Sequence, residues 1–178
     1  MAATISTPTI TRIHLDTFAV DADLYDVSAV VTDDPRSVAT YGDYIYIGAQ
    51  TEVAKCLLVS PYTCSSAFIA AGSTSCSTDG ASGVAHTKNF RSMVVDGWRH
   101  QIVYADADCN LLRTMDMDNA LYMTTIAGSG AGSGHTDDMD AVLADLPGIH
   151  SAMIIDELIY FLTEHGGKTV LRKYDLNS

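Results

Sequence analysis

FRSMVVDGWRHQIVYADA, residues 90–107, alternates apolar and polar positions on both sides of an Asp-Gly pair. Period-two alternation rich in β-branched and aromatic residues predicts strands, and Asp-Gly predicts a tight turn between them. Two further short runs follow, LLRTMD (111–116) and YMTTIA (122–127), separated by Asp- and Asn-rich turns. The stretch therefore reads as four strands, at approximately 91–95, 101–105, 111–116 and 122–127.

The same unit occurs elsewhere in the chain. PRSVATYGDYIYIGA from Pro35 and PGIHSAMIIDELIYFLTE from Pro147 align with the segment from Phe90, at a spacing of about 56 residues. Arg113-Thr114-Met115-Asp116 matches Arg172-Lys173-Tyr174-Asp175, and FIAAGS around Gly72 matches TIAGS around Gly128. STDG, ending at Gly80, stands where HTDD stands in the next unit. MDAVLADL (139–146) is the one stretch with helical character, and about one turn is its expected extent. Four antiparallel strands repeated at this scale are the blades of a β-propeller. The expected fold is all-β: about three blades plus partial terminal strands, in an incomplete ring. The blade-like units fall at 1–31 (partial), 35–73, 90–128 and 147–178 (incomplete), within a single arc spanning 1–178.

The order P-x-x-V/I, IY or VYAD, LRxxD, TIAGSG, an acidic turn and LPGI resembles the NHL-repeat propellers, best from Phe90 to Ser178 and less closely at Pro35–Gly80. The resemblance implies a propeller built of such blades. Some propellers of this kind, peptide-amidating lyases among them, hold zinc with histidines lining the channel. Only His150 falls on an innermost strand here, so the resemblance makes it the zinc candidate, with His86 and His135 in the connections leading to such strands. Two departures matter. Asp137-Asp138 replaces the acid-glycine pair Asp79-Gly80, so that turn must take another backbone conformation, and Leu162-Thr163 replaces Ala105-Asp106.

Propellers close with roughly 4 to 8 blades, and about three are legible here. ITRIHLD (10–16) and LYDVSAVV (24–31) look like third and fourth strands of a blade without its first two, and TVLRKYD (169–175) like a third strand without a fourth. The N-terminal strand can complete the C-terminal blade, as ring closure in propellers requires. Otherwise an open arc leaves strand edges and an apolar face uncovered, so the expected partner is another protein or a second copy completing the ring, and a stable lone monomer is not expected.

Composition narrows the function classes. Hydrophobic residues make up 47% and charged residues 18% of 178, which excludes a disordered chain. A net charge of -12 repels phosphates and anionic lipid, so nucleic acid is not an expected partner. No apolar run reaches the roughly 20 residues of a membrane span, and no signal peptide is visible. The compartment is either the cytosol or, for a mature or excised piece, outside it. Cys56, Cys64, Cys76 and Cys109 allow three pairings. Reduced, buried cysteine is the expected state; a disulfide between Cys56 and Cys64, closing a hairpin around LLVSPYT, is the alternative.

Few residues suggest chemistry. In IAGSGAGSGHTDD (126–138) glycines fall at alternate positions, no lysine is present and acids follow, which suits an inter-blade crossing rather than a phosphate loop. Asp106, Asp108 and Asn110 have the D-x-D-x-N spacing of a calcium loop, but Leu111 and Met117 replace its glycine and glutamate. A looser calcium cage and a solvated turn are the two readings of that triad. No G-x-S-x-G elbow is present. Arg36 and Arg91 occupy equivalent positions, which points to a repeated structural role. Trp98 and Arg99, after the Asp-Gly turn, are interaction candidates; that place should leave Trp98 exposed or half exposed, although packing on the neighbouring blade is the leading expectation. No cofactor is expected. The leading function is a non-catalytic interaction module; a propeller lyase or hydrolase with a channel metal and an extracellular recognition fragment are the alternatives.

Overall fold

The structure, a computed structural model, describes residues 9–13, 20–28, 30–59, 61–71, 76, 78–131, 136–138 and 140–177. Three sheets carry the repeat. Blade I is β3 (Ser37–Tyr41), β4 (Tyr44–Gly48), β5 (Glu52–Leu57) and β6 (Cys64–Ile69), hydrogen-bonded in chain order. Blade II is β7 (Phe90–Asp96), β8 (Gln101–Asp106), β9 (Leu111–Asp116) and β10 (Tyr122–Ala127). Blade III has three strands, β11 (Ser151–Ile155), β12 (Leu158–His165) and β13 (Lys168–Asp175). All pairs are antiparallel, and the ring is not closed. The blade II strands fall where the alternation places them, and MDAVLADL supplies a single 3₁₀ turn at Ala141–Leu143.

β1 (Thr9–Ile13) and β2 (Val20–Asp26) pair with each other in a separate two-stranded sheet. This corrects the expectation that an N-terminal strand completes the C-terminal blade: among the described residues, β12 is the strand that pairs with β13. The second strand also ends at Asp26, five residues earlier than its apolar run suggests. Val27 and Val31 form a turn, with the Val31 amide donating to the Val27 carbonyl at 2.8 Å, and pack on Ile45, Ile47, Ala54 and Cys56 of blade I.

Alternation puts one row of each strand on each sheet face, so every blade is apolar on both sides and must be sandwiched. Tyr46, Val53 and Phe68 of blade I meet Phe90, Met93, Ile102, Tyr104, Met115 and Met123 of blade II. The opposite face of blade II, with Val103, Ala105 and Leu112, meets Ile159 and Phe161 of blade III, and Leu146 and Ile149 of the connection fill the gap. Serines in equivalent register tie the innermost strands together: the Ser37 hydroxyl donates to the Phe90 carbonyl at 3.0 Å, and the Ala152 amide donates to Ser92 Oγ at 3.1 Å.

The TIAGS glycine has a steric reason. Gly128 sits at φ +106°, and a Cβ there would lie 2.5 Å from the Asn110 carbonyl oxygen. Gly80, at φ +146°, exchanges backbone hydrogen bonds with Met123. Asp138 does not share that left-handed conformation, so the acid-acid turn departs from the acid-glycine turn as the substitution requires.

All four cysteines are in disulfides, Cys56–Cys64 and Cys76–Cys109, which overturns the reduced expectation. Cys56 and Cys64 are directly opposed on β5 and β6, so the register itself brings their side chains together. Cys76–Cys109 fastens the crossing between blades I and II to the β8–β9 turn, closing 33 residues. Replacing both Cys76 and Cys109 by serine is expected to lower stability by about 3–4 kcal/mol, the loop-closure entropy of a ring that size. Urea unfolding of the oxidised protein and the variant measures the difference.

Candidate functional site

The largest wholly buried side chain is an arginine. Arg113 on β9 faces blade I beneath Tyr104, where an unpaired cation would be costly, and each of its nitrogens has partners. Nη1 lies 3.2 Å from the Asp106 carboxylate and donates to the His86 carbonyl; Nη2 donates to the Cys76 carbonyl at 2.7 Å and lies 3.4 Å from Asp79; Nε donates to the Thr125 hydroxyl at 3.0 Å. Asp79 in turn accepts from the Thr125 amide and hydroxyl, both at 2.8 Å. One guanidinium thus clamps the crossing (Cys76, Asp79, His86), the second strand (Asp106) and the fourth strand (Thr125).

Asp106 is buried with its charge satisfied only by donors: the Thr87 hydroxyl at 2.6 Å, the amides of Lys88 and Asn89, and Arg113. Burial pushes its carboxyl up, opposed by the Thr87 hydroxyl and the Arg113 guanidinium. Burial also drives the Tyr104 phenol well above its ordinary range. Beside this cluster a cleft of about 490 Å³ is lined by Asp79, Leu111, Thr125, Gly128 and Gly130. The amides of Gly128 and Ser129 donate to the carbonyls of Ala141 and Ala144, so these N–H groups hold the crossing and do not cradle an anion.

Blade III repeats the clamp. Arg172 holds the register position of Arg113, donates to the Asp145 carbonyl where Arg113 donates to His86, and lies 3.1 Å from Asp137 where Arg113 meets Asp79. Blade I has Ala54 at this position and no clamp. The far face of blade III is open. Val94, Val103, Ala105 and Leu112 seat blade III on blade II, and their register equivalents are Met153, Tyr160, Leu162 and Leu171. Together with Ser151, the third of the inter-blade serines, these four line an apolar cleft of about 250 Å³. Leu171 is 66% and Met153 53% exposed.

The residues singled out in the sequence separate. Asp106 turns into the clamp, Asp108 accepts from the Asn89 amide side chain at 3.3 Å, and Asn110 accepts from the Gly148 amide at 2.9 Å. Their oxygens face protein donors and do not converge on one point. His150 contacts the Ser151 hydroxyl through Nδ1 at 3.2 Å, and its Nε2 lies 3.4 Å from Glu164. His86 contributes its carbonyl to the clamp, while His14 and His135 lie outside the described residues. Among the described residues no group of three His, Cys, Asp or Glu side chains is arranged to hold a metal. Trp98 is 87% exposed, in keeping with its place after the Asp-Gly turn and against its packing on a blade. It sits on the β7–β8 turn, where Asp96 accepts from the Trp98 and Arg99 amides. Arg99 is tied to Asp96 and to Asn177. Arg36, equivalent to Arg91, donates to Asn89 of the crossing. Sequence reading matched Arg113 with Arg172 and STDG with HTDD, but not arginine with acid. The signal was there: each arginine and its acid recur together at nearly the same interval.

Several solved structures are similar over most of the chain. An auxiliary nutrient binding protein from Bacteroides thetaiotaomicron superposes with a TM-score of 0.65 at 16% identity, covering 85% of this chain and 39% of that one. A structural genomics protein of unknown function from the same organism gives 0.72 at 20% identity, covering 96% and 42%. A chain in a nidogen/laminin complex gives 0.62 at 11%, covering 96% and 56%. These neighbours are β-propellers. The fold is therefore that of a β-propeller. The chain spans about two fifths to just over half of these neighbours' lengths. No family model and no curated protein sequence matches it.

Arg113→Met leaves the buried Asp106 carboxyl without its cation and the clamp's carbonyls without their donor, and a loss of about 3–5 kcal/mol is expected. The double variant Arg113→Met/Asp106→Asn removes both charges and should be less destabilised than the single one. Chemical denaturation of the two proteins makes the comparison.

Proposed function

We propose that this chain is a non-catalytic interaction module, an NHL-like propeller arc that assembles with a second copy or another chain through the open face of blade III. One observation carries the reading: Met153, Tyr160, Leu162 and Leu171 repeat, in register, the face by which blade II seats blade III. A face built to be sandwiched and left to water is an association surface. The strongly buried ionisable groups, Asp106 and Tyr104, belong to blade-to-blade packing. Two disulfides favour an oxidising compartment, which adds extracellular recognition as the setting. Among the described residues no helix is long and apolar enough to cross a membrane.

Sedimentation velocity at rising concentration tests the proposal. The expected result is a mass above one chain, restored to one chain by Leu171→Asp or Met153→Asp with the circular dichroism spectrum unchanged. A one-chain mass at every concentration, with cooperative unfolding, overturns it.

A further inference from the structure

The hairpin joining the first two strands differs between blades. In blades I and III it is two residues long, 42–43 and 156–157, closed by the pairs Tyr41–Tyr44 and Ile155–Leu158. In blade II it has four residues, 97–100, closed by Asp96–Gln101. Insertions into one repeat of an array map to loops on one face, often the binding face. This one carries Trp98, the chain's only tryptophan, with its side chain in solvent.

The longer loop is tied to the sheet from below. Asp96 accepts from the Trp98 and Arg99 amides and from the Gln101 side chain, and Arg99 is drawn aside to Asp96 and Asn177. His100 closes the loop at φ +51°, a conformation that glycine adopts at less cost, so turning the chain is not what selects an imidazole there. Its ring has two neighbours outside the loop. Nδ1 lies 3.1 Å from the Asp118 carboxylate, and the Tyr41 ring of blade I stands 5.7 Å away between centroids. The Tyr41 hydroxyl donates to the Gly97 carbonyl at 3.3 Å. Tyr44, opposite Tyr41 in the ladder, has the Lys55 ammonium 3.9 Å over its ring. Tyr44, Tyr41, His100 and Asp118 thus form a continuous row from blade I to blade II, with Trp98 beside it.

We propose that this row is a binding site for an uncharged carbohydrate, with one sugar ring on the Trp98 indole and its hydroxyls met by His100, Asp118 and Tyr41. A pyranose has a face of C–H groups and a rim of hydroxyls that both donate and accept. The electron-rich face of an exposed indole suits the first. A carboxylate that accepts, beside an imidazole and a phenol that do both, suits the second. An apolar polypeptide is a poorer fit, because a protein hot spot is ringed by packed contacts that exclude water, whereas Gly97, His100 and Asp118 around Trp98 are exposed. Sulfated or uronate sugars are repelled by a chain of net charge -12. Side chains already held by their own chain lose little freedom on binding. The site belongs to blades I and II and does not depend on assembly through the open face of blade III.

With a single tryptophan in the chain, intrinsic fluorescence reports occupancy of the site directly. The probes are neutral glucan, mannan and galactan hexasaccharides titrated into the full chain, with calorimetry alongside. The expected result is a saturable change in tryptophan emission with at least one of them. Trp98→Ala, followed by calorimetry, should weaken that binding roughly tenfold or more, the size of a hot-spot truncation, at an unchanged unfolding midpoint. His100→Gly separates recognition from folding. It relaxes the turn, so the midpoint holds or rises, while binding weakens about threefold or more, the size of one lost hydrogen bond. No saturable change with any of the hexasaccharides overturns the proposal. So does binding that survives Trp98→Ala, or tighter binding of a uronate oligosaccharide or an apolar peptide at Trp98. Leu171→Asp should bind sugar as the parent chain does, so the failure of this inference and that of assembly through blade III are read separately.

Discussion

A buried guanidinium with a partner for every nitrogen is the constraint around which the blades are arranged. Arg113 sits in a core of Tyr104, Met115 and Met123, where an uncompensated cation would cost several kcal/mol. Its partners come from the crossing, from the second strand and from the fourth strand, segments spread from Cys76 to Thr125. Apolar packing is tolerant of small slides between blades. A five-donor fork with fixed acceptors is far less so, and it fixes how the crossing seats on the second and fourth strands of blade II.

The two ends of the arc are unlike. Behind blade I, Val27 and Val31 cover Ile45 and Ile47, and the clamp is replaced by Thr32, whose amide and hydroxyl donate to Glu52. Beyond blade III the same kind of face carries Leu171 and Met153 into solvent, and the clamp has acid and arginine without a fourth strand. The face behind blade I is covered by local devices, whereas that of blade III keeps large apolar side chains exposed.

Much of this was legible in the sequence. The Asp-Gly turn at 96–97, the alternation around it and the spacing of about 56 residues place the strands of blade II, because one-residue slips would turn whole apolar rows to solvent. Disulfides were legible in part. The Cys56–Cys64 bridge stood as the alternative reading of a hairpin, and the β5–β6 register makes it definite, whereas Cys109 meets Cys76 through a crossing whose path local pattern does not encode. The spacing of Asp106, Asp108 and Asn110 suggested a cation, yet it could not show that Asp106 points inward to Arg113, seven residues along the chain. Trp98 stands exposed on the β7–β8 turn, whose backbone amides donate to Asp96. In IAGSGAGSG it is Gly128 that serves a close backbone approach at Asn110.

Native-state amide hydrogen exchange on the isolated chain tests the clamp most directly. If the complete clamp is what stabilises a blade, amides of β9 and β10 exchange near the free energy of global unfolding, while blade III, clamped without a fourth strand, opens earlier and β13 exchanges fastest of all. Removing the Arg113 guanidinium should then bring blade II down to the level of blade III. Equal protection of β9 and β13, unaltered by loss of Arg113, would contradict the account and leave apolar packing as the sole organiser of the arc.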